Sequence, residues 1–375
     1  MQTNGSGVSV SAGSDPALLR VIRDAIARDG GWLRFDRYMA LALYAPGLGY
    51  YTNAGRKFGL LPQSGSDFVT APELSPLFGA ALARQVAQWL EQTGTHEVWE
   101  FGAGSGALAE QLLDALGERV QRYTIVDLSG SLRARQRERL QRFGERVAWV
   151  DALPDTLRGV VVGNEVLDAM PVELLHFDGQ RWHERGVVVQ GDGFAWQDRA
   201  GERRPPGEPG AFPPGAVTEL HAQAEAFVAT LGERLERGAA LFIDYGFPEA
   251  EYYHPQRHMG TLMCHRGHQA DTDPLADPGA KDITAHVNFT GIALAAQDAG
   301  FDVIGYTSQA HFLINCGIVE LMRDADLATR ANANKLLMEH EMGELFKVIA
   351  LAKGGSDALG HDAIGFTAGD RTHTL

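Results

Sequence analysis

Apolar residues along the 375-residue chain change their spacing in a regular way. Leu18, Leu19, Ile22 and Ile26 recur at the interval of a helix, and a second helical stretch is predicted from Phe35 to about Leu43, where Pro46, Gly47 and Gly49 stop it. Pro76 opens another helix, with apolar positions at Leu77, Ala81, Leu82, Val86 and Leu90. Short apolar runs then alternate with helical spacing. Val98 to Phe101, Tyr123 to Val126, Val147 to Val150, Val160 to Val162 and Leu241 to Ile243 read as five parallel strands. Leu108, Leu112, Leu113 and Leu116 mark a helix between the first two, and Leu132, Leu140 and Phe143 mark one between the next two. A helix from Phe289 to Ala299, a strand from Phe301 to Tyr306, two helices within 309–343 and a strand near Phe346 to Ala352 complete the pattern.

Such alternation predicts an α/β fold, a mostly parallel sheet with helices on both faces. Two segments interrupt it. Asp178-Gly179 and Asp192-Gly193 are turn dipeptides inside alternating runs, so 173–215 reads as inserted hairpins, whereas 248–285 is polar without a period and reads as a loop. The predicted organisation is a flexible tail at 1–16, a helical lid region at 17–95 and a main domain at 96–354. That domain carries the two insertions and a helical one at 309–343, and a tail follows at 355–375. Between Tyr50 and Pro76 the chain is rich in Gly, Pro, Ser and Thr yet keeps Phe58 and Phe68, which suits an ordered functional loop such as a lid.

Composition narrows the function. With 45% apolar and 22% charged residues the chain is an ordinary globular protein. Its 33 Lys+Arg against 48 Asp+Glu give a net charge of −15, which disfavours binding to a nucleic-acid backbone. Arg133, Arg135, Arg137, Arg139 and Arg142 are accordingly read as a solvated helix face. No apolar run is long enough for a membrane span, and two cysteines, Cys264 and Cys316, outside any CxxC pair point to a reducing, cytoplasmic compartment. His254, His258, His265 and His268 beside Cys264 lack the spacing of paired metal ligands, so no metal is expected.

The strongest local signal is Glu100-Phe101-Gly102-Ala103-Gly104-Ser105-Gly106, which ends a strand and opens a helix. Glycines there permit a tight turn and close approach of a ligand to free N–H groups. Gly102, Gly104 and Ala107 also satisfy the dinucleotide pattern, and Glu100 tips the choice toward S-adenosylmethionine (SAM) over NAD. Asp127, at the end of the next strand, can accept both ribose hydroxyl protons and would repel a 2′-phosphate; as an alternative it caps the following helix. Asp151-Ala152 stands where an adenine-reading pair would sit. After the fourth strand, Asn164, Glu165 and Asp168 bring an amide and two carboxylates into one turn, a reaction-side candidate unless Asn164 only caps a helix.

Taken in order, LALYAPGLGYY, GSDFVTAPELSPLFG, VWEFGAGSGALA, YTIVDLSGSLRARQRERL, GNEVLDAMPVELLHF, LFIDYGFP, DITAHVNFTG and MGELFKVIAL resemble the MidA/NDUFAF7 family of SAM-dependent methyltransferases, also called DUF185 or COG1565, over roughly residues 18–354. The resemblance implies a Rossmann-like class I SAM methyltransferase whose last strand is antiparallel, under a helical N-terminal lid. It implies that Gly102, Gly104 and Gly106 hold the methionine half of the cofactor, Glu100 lies beneath it, and Asp127 holds the ribose where relatives more often carry Glu. Asn164 and Glu165 would line the transfer site, with Thr70, Pro72 and Glu73 closed over it. For mitochondrial members it implies dimethylation of an arginine in a respiratory complex I subunit. Glu165 and Asp168 could clamp such a guanidinium and leave one nitrogen facing the methyl. A non-catalytic SAM-binding assembly factor and an NAD-dependent oxidoreductase are the competing readings, and S-adenosylhomocysteine is the product the first reading requires.

Overall fold

The computed structural model describes residues 13–53, 69–206, 212–266, 269–355, 359–360 and 362–375. Its centre is a sheet of seven long strands: β1 (Glu97–Phe101), β2 (Arg122–Val126), β3 (Val147–Val150), β4 (Leu157–Asn164), β5 (Leu235–Phe247), β6 (Asp302–Ser308) and β7 (Phe346–Lys353). They lie in the order β3-β2-β1-β4-β5-β7-β6, and the short strand Val287–Asn288 pairs parallel with the end of β5 at Gly246 and Phe247. β1 to β5 are parallel, while β7 runs antiparallel to both of its neighbours.

Strand side chains alternate between two covered faces, which is why these segments read as unbroken apolar runs. Val160 and Val162 of β4 join Val98, Tyr123 and Leu241 under the helices Pro76–Thr93 and Ala107–Leu116. Val161, between them, joins Trp99, Phe242 and Ile349 under the helices Ala222–Arg234 and Phe289–Asp298. The chain winds from β1 toward β3, then returns to place β4 on the other side of β1. At that reversal the loops leave in opposite directions and open a crevice beyond the strand ends.

Several expectations need correction. The predicted lid region divides in two. Pro76–Thr93 buries Phe78, Leu82, Val86 and Trp89 in the main core, because apolar residues surround most of its circumference. Pro16–Arg28 and Phe35–Tyr44 instead pack on a five-stranded antiparallel sheet formed by Leu33–Arg34, Glu173–Phe177, Trp182–Gln190, Gly193–Ala200 and Val217–Leu220. The segment 248–285 is not a plain loop: Met263–Arg266, Gln269–Asp271 and Asp282–Thr284 pair into a small antiparallel sheet whose Cys264 and Ile283 join the N-terminal core. Three helices, Gln309–Asn315, Ile318–Arg323 and Leu327–Leu337, replace the two expected in 309–343. The C-terminal segment is no loose tail. Leu359, Ala363 and Phe366 are buried, Trp89 donates to the Leu359 carbonyl at 3.2 Å, and Arg371 pairs with Glu344. Its apolar residues are too few to show a period. Of the predicted loop from Tyr50 to Pro76, residues 54–68, with Phe58 and Phe68, lie outside the described residues, as does most of the predicted N-terminal tail.

Candidate active site

The crevice has two halves, and the first is built mainly by backbone. β1 ends at Phe101, and Gly102, Gly104 and Gly106 follow with φ of 63°, 51° and 83°. A β-carbon on Gly102 would stand 2.6 Å from Val166 Cγ2, so the turn after β4 presses directly on this loop and leaves no room for a side chain. Gly106 differs from expectation: it does not line the crevice, and its left-handed conformation turns the chain into the helix Ala107–Leu116. Beneath the loop, Glu100 is 2% exposed and accepts a hydrogen bond from Tyr123 Oη at 2.8 Å. Burial pushes its carboxyl up to about 8 despite that bond.

Asp127 follows β2 and accepts from the Ser129 N–H and from Gln136 Nε2, each at 2.8 Å. Burial raises its pKa, and these two bonds with the nearby Arg133 oppose the shift. Ser129, not Asp127, caps the helix Gly130–Leu140. Gln136 also donates to the Gly104 carbonyl at 3.0 Å and accepts from Trp149 Nε1 at 2.9 Å, so one amide ties the glycine loop, Asp127 and β3 together. Sequence reading missed it, because a glutamine in an Arg-rich helix carries no signal of its own.

Side chains build the second half. Asn164 ends β4, and Glu165 adopts φ 54°, a conformation that non-glycine residues rarely hold outside functional turns. No helix follows, so Asn164 is not a helix cap. What holds the turn is Asp244 at the end of β5. Its Oδ2 accepts the N–H groups of Val166, Leu167 and Asp168 at 3.1, 2.8 and 3.2 Å. Asn164 Nδ2 donates to Glu165 Oε1 at 2.9 Å, and Tyr245 Oη donates to Asp168 Oδ2 at 2.5 Å. The buried Asn164 Oδ1 and Asp168 Oδ1 have no hydrogen-bond partner among the described residues. Burial, and then the charge of Asp168, push Glu165 up to about 8. Burial moves Asp168 itself up to about 6 against the bond from Tyr245.

Both halves open into one cavity of about 850 Å³. Its described lining carries the carboxylates of Glu100, Asp127, Asp151, Glu165, Asp168 and Asp282 and no lysine or arginine. Thr70, Pro72 and Ala152 line it as expected. Glu73 does not. It accepts from Ser105 Oγ and from Arg139 Nη1, the latter at 3.2 Å, and so latches the segment 70–74 onto the glycine loop. Gln111 Nε2 holds the Pro72 carbonyl at 2.7 Å, and the Ala71 N–H reaches Glu165. Arg139 is therefore not part of a purely solvated face. Nor is Arg133, which donates to the Asp127 carbonyl at 2.6 Å.

Tyr44, Tyr51, Tyr245, Thr284, His286 and Phe346 also line the cavity, from elements far apart in the chain. They lie in LALYAPGLGYY, LFIDYGFP, DITAHVNFTG and MGELFKVIAL, segments that carry the family resemblance, but nothing in those segments marks them individually as cavity residues. His265 faces the cavity as well, His268 lies outside the described residues, and no group of three His, Cys, Asp or Glu suited to a metal occurs among the described residues.

A wall of acidic side chains without a lysine or arginine suits a cofactor bearing a sulfonium and an ammonium group, and opposes the pyrophosphate of a nicotinamide dinucleotide. The glycine turn, too tight for any β-carbon at Gly102, fits the close approach such a ligand requires. Comparison with known proteins agrees. Residues 81–307 match a family of S-adenosyl-L-methionine-dependent methyltransferases. The crystal structure of a COG1565 superfamily member from Burkholderia thailandensis, bound to S-adenosyl-homocysteine, is 50% identical with a TM-score of 0.90, covering 96% of each chain. The mouse mitochondrial protein arginine methyltransferase NDUFAF7 is 28% identical, over 92% of this chain and 88% of its own. Its Caenorhabditis elegans homologue is 27% identical, over 79% of this chain and 75% of its own. Among the described residues no helix is long and apolar enough to cross a membrane.

Proposed function

The chain belongs to the SAM-dependent methyltransferase family, with S-adenosylmethionine as cofactor and S-adenosylhomocysteine as product, and from that premise we propose that it methylates arginine in a protein substrate. The observation that carries this reading is the acidic cavity, whose described lining holds no lysine or arginine and in which Glu165 and Asp168 share one turn. The names of the NDUFAF7 relatives support it.

In this reading Gly102 and Gly104 offer backbone to the methionine half above Glu100. Asp127 holds the ribose, Asp151 and Ala152 meet the adenine, and Thr70 and Pro72 cover the site. Bound SAM supplies a methyl group on a sulfonium; the carbon–sulfur bond breaks as a carbon–nitrogen bond forms, and sulfur keeps the electron pair. The protein must keep the accepting nitrogen close, aligned and dry. A guanidinium arrives charged, with its lone pairs delocalised. Asp168 Oδ1 and Asn164 Oδ1 each have room to accept one of its N–H groups, which orients the plane and concentrates positive charge away from the reacting nitrogen. Transfer releases one proton overall. Glu165, with a carboxyl tuned to about 8, is suited to receive it in its ionised form, which is the major form only above that pH.

Mass spectrometry of proteins from wild-type and deletion strains tests the reading, with a catalytic subunit of respiratory NADH dehydrogenase as the first protein to inspect. Loss of methylation at an arginine in the deletion strain is expected. Loss confined to another residue type, or SAM binding without transfer to any protein, would overturn it; the latter would mark a non-catalytic assembly factor.

A further inference from the structure

A third carboxylate reaches the acceptor half from the segment DITAHVNFTG, where no residue is singled out by the sequence as part of the site. Asp282 begins the short strand Asp282–Thr284, is 3% exposed and lines the cavity. Its Oδ2 accepts from Tyr51 Oη at 3.0 Å. Tyr51 stacks on Tyr44, with ring centroids 5.5 Å apart and an interplanar angle of 18°, and Tyr44 Oη donates to the Ala169 carbonyl at 2.8 Å. A second tie is more direct: the Ala285 N–H donates to the Asp168 carbonyl at 3.0 Å. Asp282 is therefore fixed relative to the turn that carries Glu165 and Asp168. Lys281, next in sequence, pairs with Asp271 at 2.9 Å and with the Asp273 carbonyl at 3.0 Å, so its charge is engaged elsewhere.

The chemistry of the acceptor gives this arrangement a use. An ammonium is a compact charge that one acidic turn can satisfy, whereas a guanidinium is a planar fork with five N–H donors on more than one edge. Carboxylates held at a set separation on two elements match the second shape. We propose that Asp282, positioned by Tyr51, grips the guanidinium together with Glu165 and Asp168 and selects arginine over lysine. This rests on the arginine reading above and deepens it.

The test titrates Nα-acetyl-arginine methylamide and Nα-acetyl-lysine methylamide into the full chain saturated with S-adenosylhomocysteine. Wild type should bind the arginine amide about tenfold more tightly than the lysine amide. Asp282→Asn should weaken the arginine amide by about tenfold and the lysine amide by no more than about twofold, with affinity for S-adenosylhomocysteine unchanged. Tyr51→Phe, which removes only the positioning hydroxyl, should shift the preference in the same direction by about threefold. It carries the test alone if Asp282→Asn loses S-adenosylhomocysteine binding and so fails to fold. A wild type indifferent to the two amides overturns the arginine reading and this inference with it. A wild type that prefers arginine, beside variants that keep the preference or lose both amides equally, overturns this inference alone.

Discussion

The cofactor half and the acceptor half of the cavity are made of different material. In the first, one stretch from Glu100 to Gly106 supplies a turn whose backbone does the binding, and φ values of 63° and 51° at Gly102 and Gly104 are its defining property. In the second, carboxylates and tyrosines converge from the turn after β4, the end of β5, the chain after Phe35–Tyr44 and the strand Asp282–Thr284. Backbone conformation tolerates no added atoms; charge tolerates no neutralisation. The first half should therefore fail by steric change and the second by isosteric change, and each should leave the other's function measurable.

Gly102→Val puts this to its hardest test. A branched side chain at φ 63° is strained by roughly 1–2 kcal/mol, and its β-carbon meets Val166. SAM affinity should fall by more than about a hundredfold by isothermal titration, with the fold retained by circular dichroism. Gly104→Val should behave alike, and undiminished binding in both would remove the loop from the cofactor site. In the other half, Glu165→Gln should reduce kcat/KM by about a hundredfold or more while SAM affinity stays within about twofold. An equal loss of SAM affinity would mean the two halves are not separable.

The same glutamate predicts a pH profile. With its carboxyl at about 8 in the free protein, kcat/KM should rise as pH increases through that value and then level, and Glu165→Gln should abolish the rise. Stability should run the opposite way. Glu100 and Glu165 have folded pKa values above the unfolded value of 4.5, so their contribution is complete below it and is lost as pH rises through about 8. The melting temperature of the cofactor-free protein should therefore fall over that window, and less so in Glu100→Gln. A flat melting profile would show that burial does not perturb these carboxyls.

Asp127→Ala should cost SAM binding about 1.5–3 kcal/mol, the range for hydrogen bonds to a charged group. An unchanged dissociation constant would place the ribose elsewhere. The smallest effect belongs to the latch between the halves. Arg139→Met removes a half-exposed partner of Glu73 and should change SAM affinity by no more than about 1 kcal/mol.

The sequence alone specified what depends on near neighbours. Alternating apolar runs and helical spacing located all seven strands of the central sheet, because a strand buried on both faces must be continuously apolar. The cofactor loop was legible because conformational demand falls on residues adjacent in the chain, and only glycine meets it. The helix Ala222–Arg234, with Phe227 and Gln223 facing the cavity, went unassigned after the Pro/Gly cluster, and the sheet within 248–285 read as a loop because its strands are three or four residues long, too short for a period. In the acceptor half the turn with Asn164, Glu165 and Asp168 was legible in the sequence, and tertiary structure alone decided what surrounds it. Asp244 lies 76 to 78 residues from the N–H groups it holds, and Tyr51 lies 231 from Asp282. Hydrogen bonds of that reach leave no local trace of the pairing, since neither partner's neighbours in the chain indicate which distant group it meets. Only the packing of the N-terminal helices and the small sheet against the strand ends gives those residues a shared cavity, and with it their chemistry.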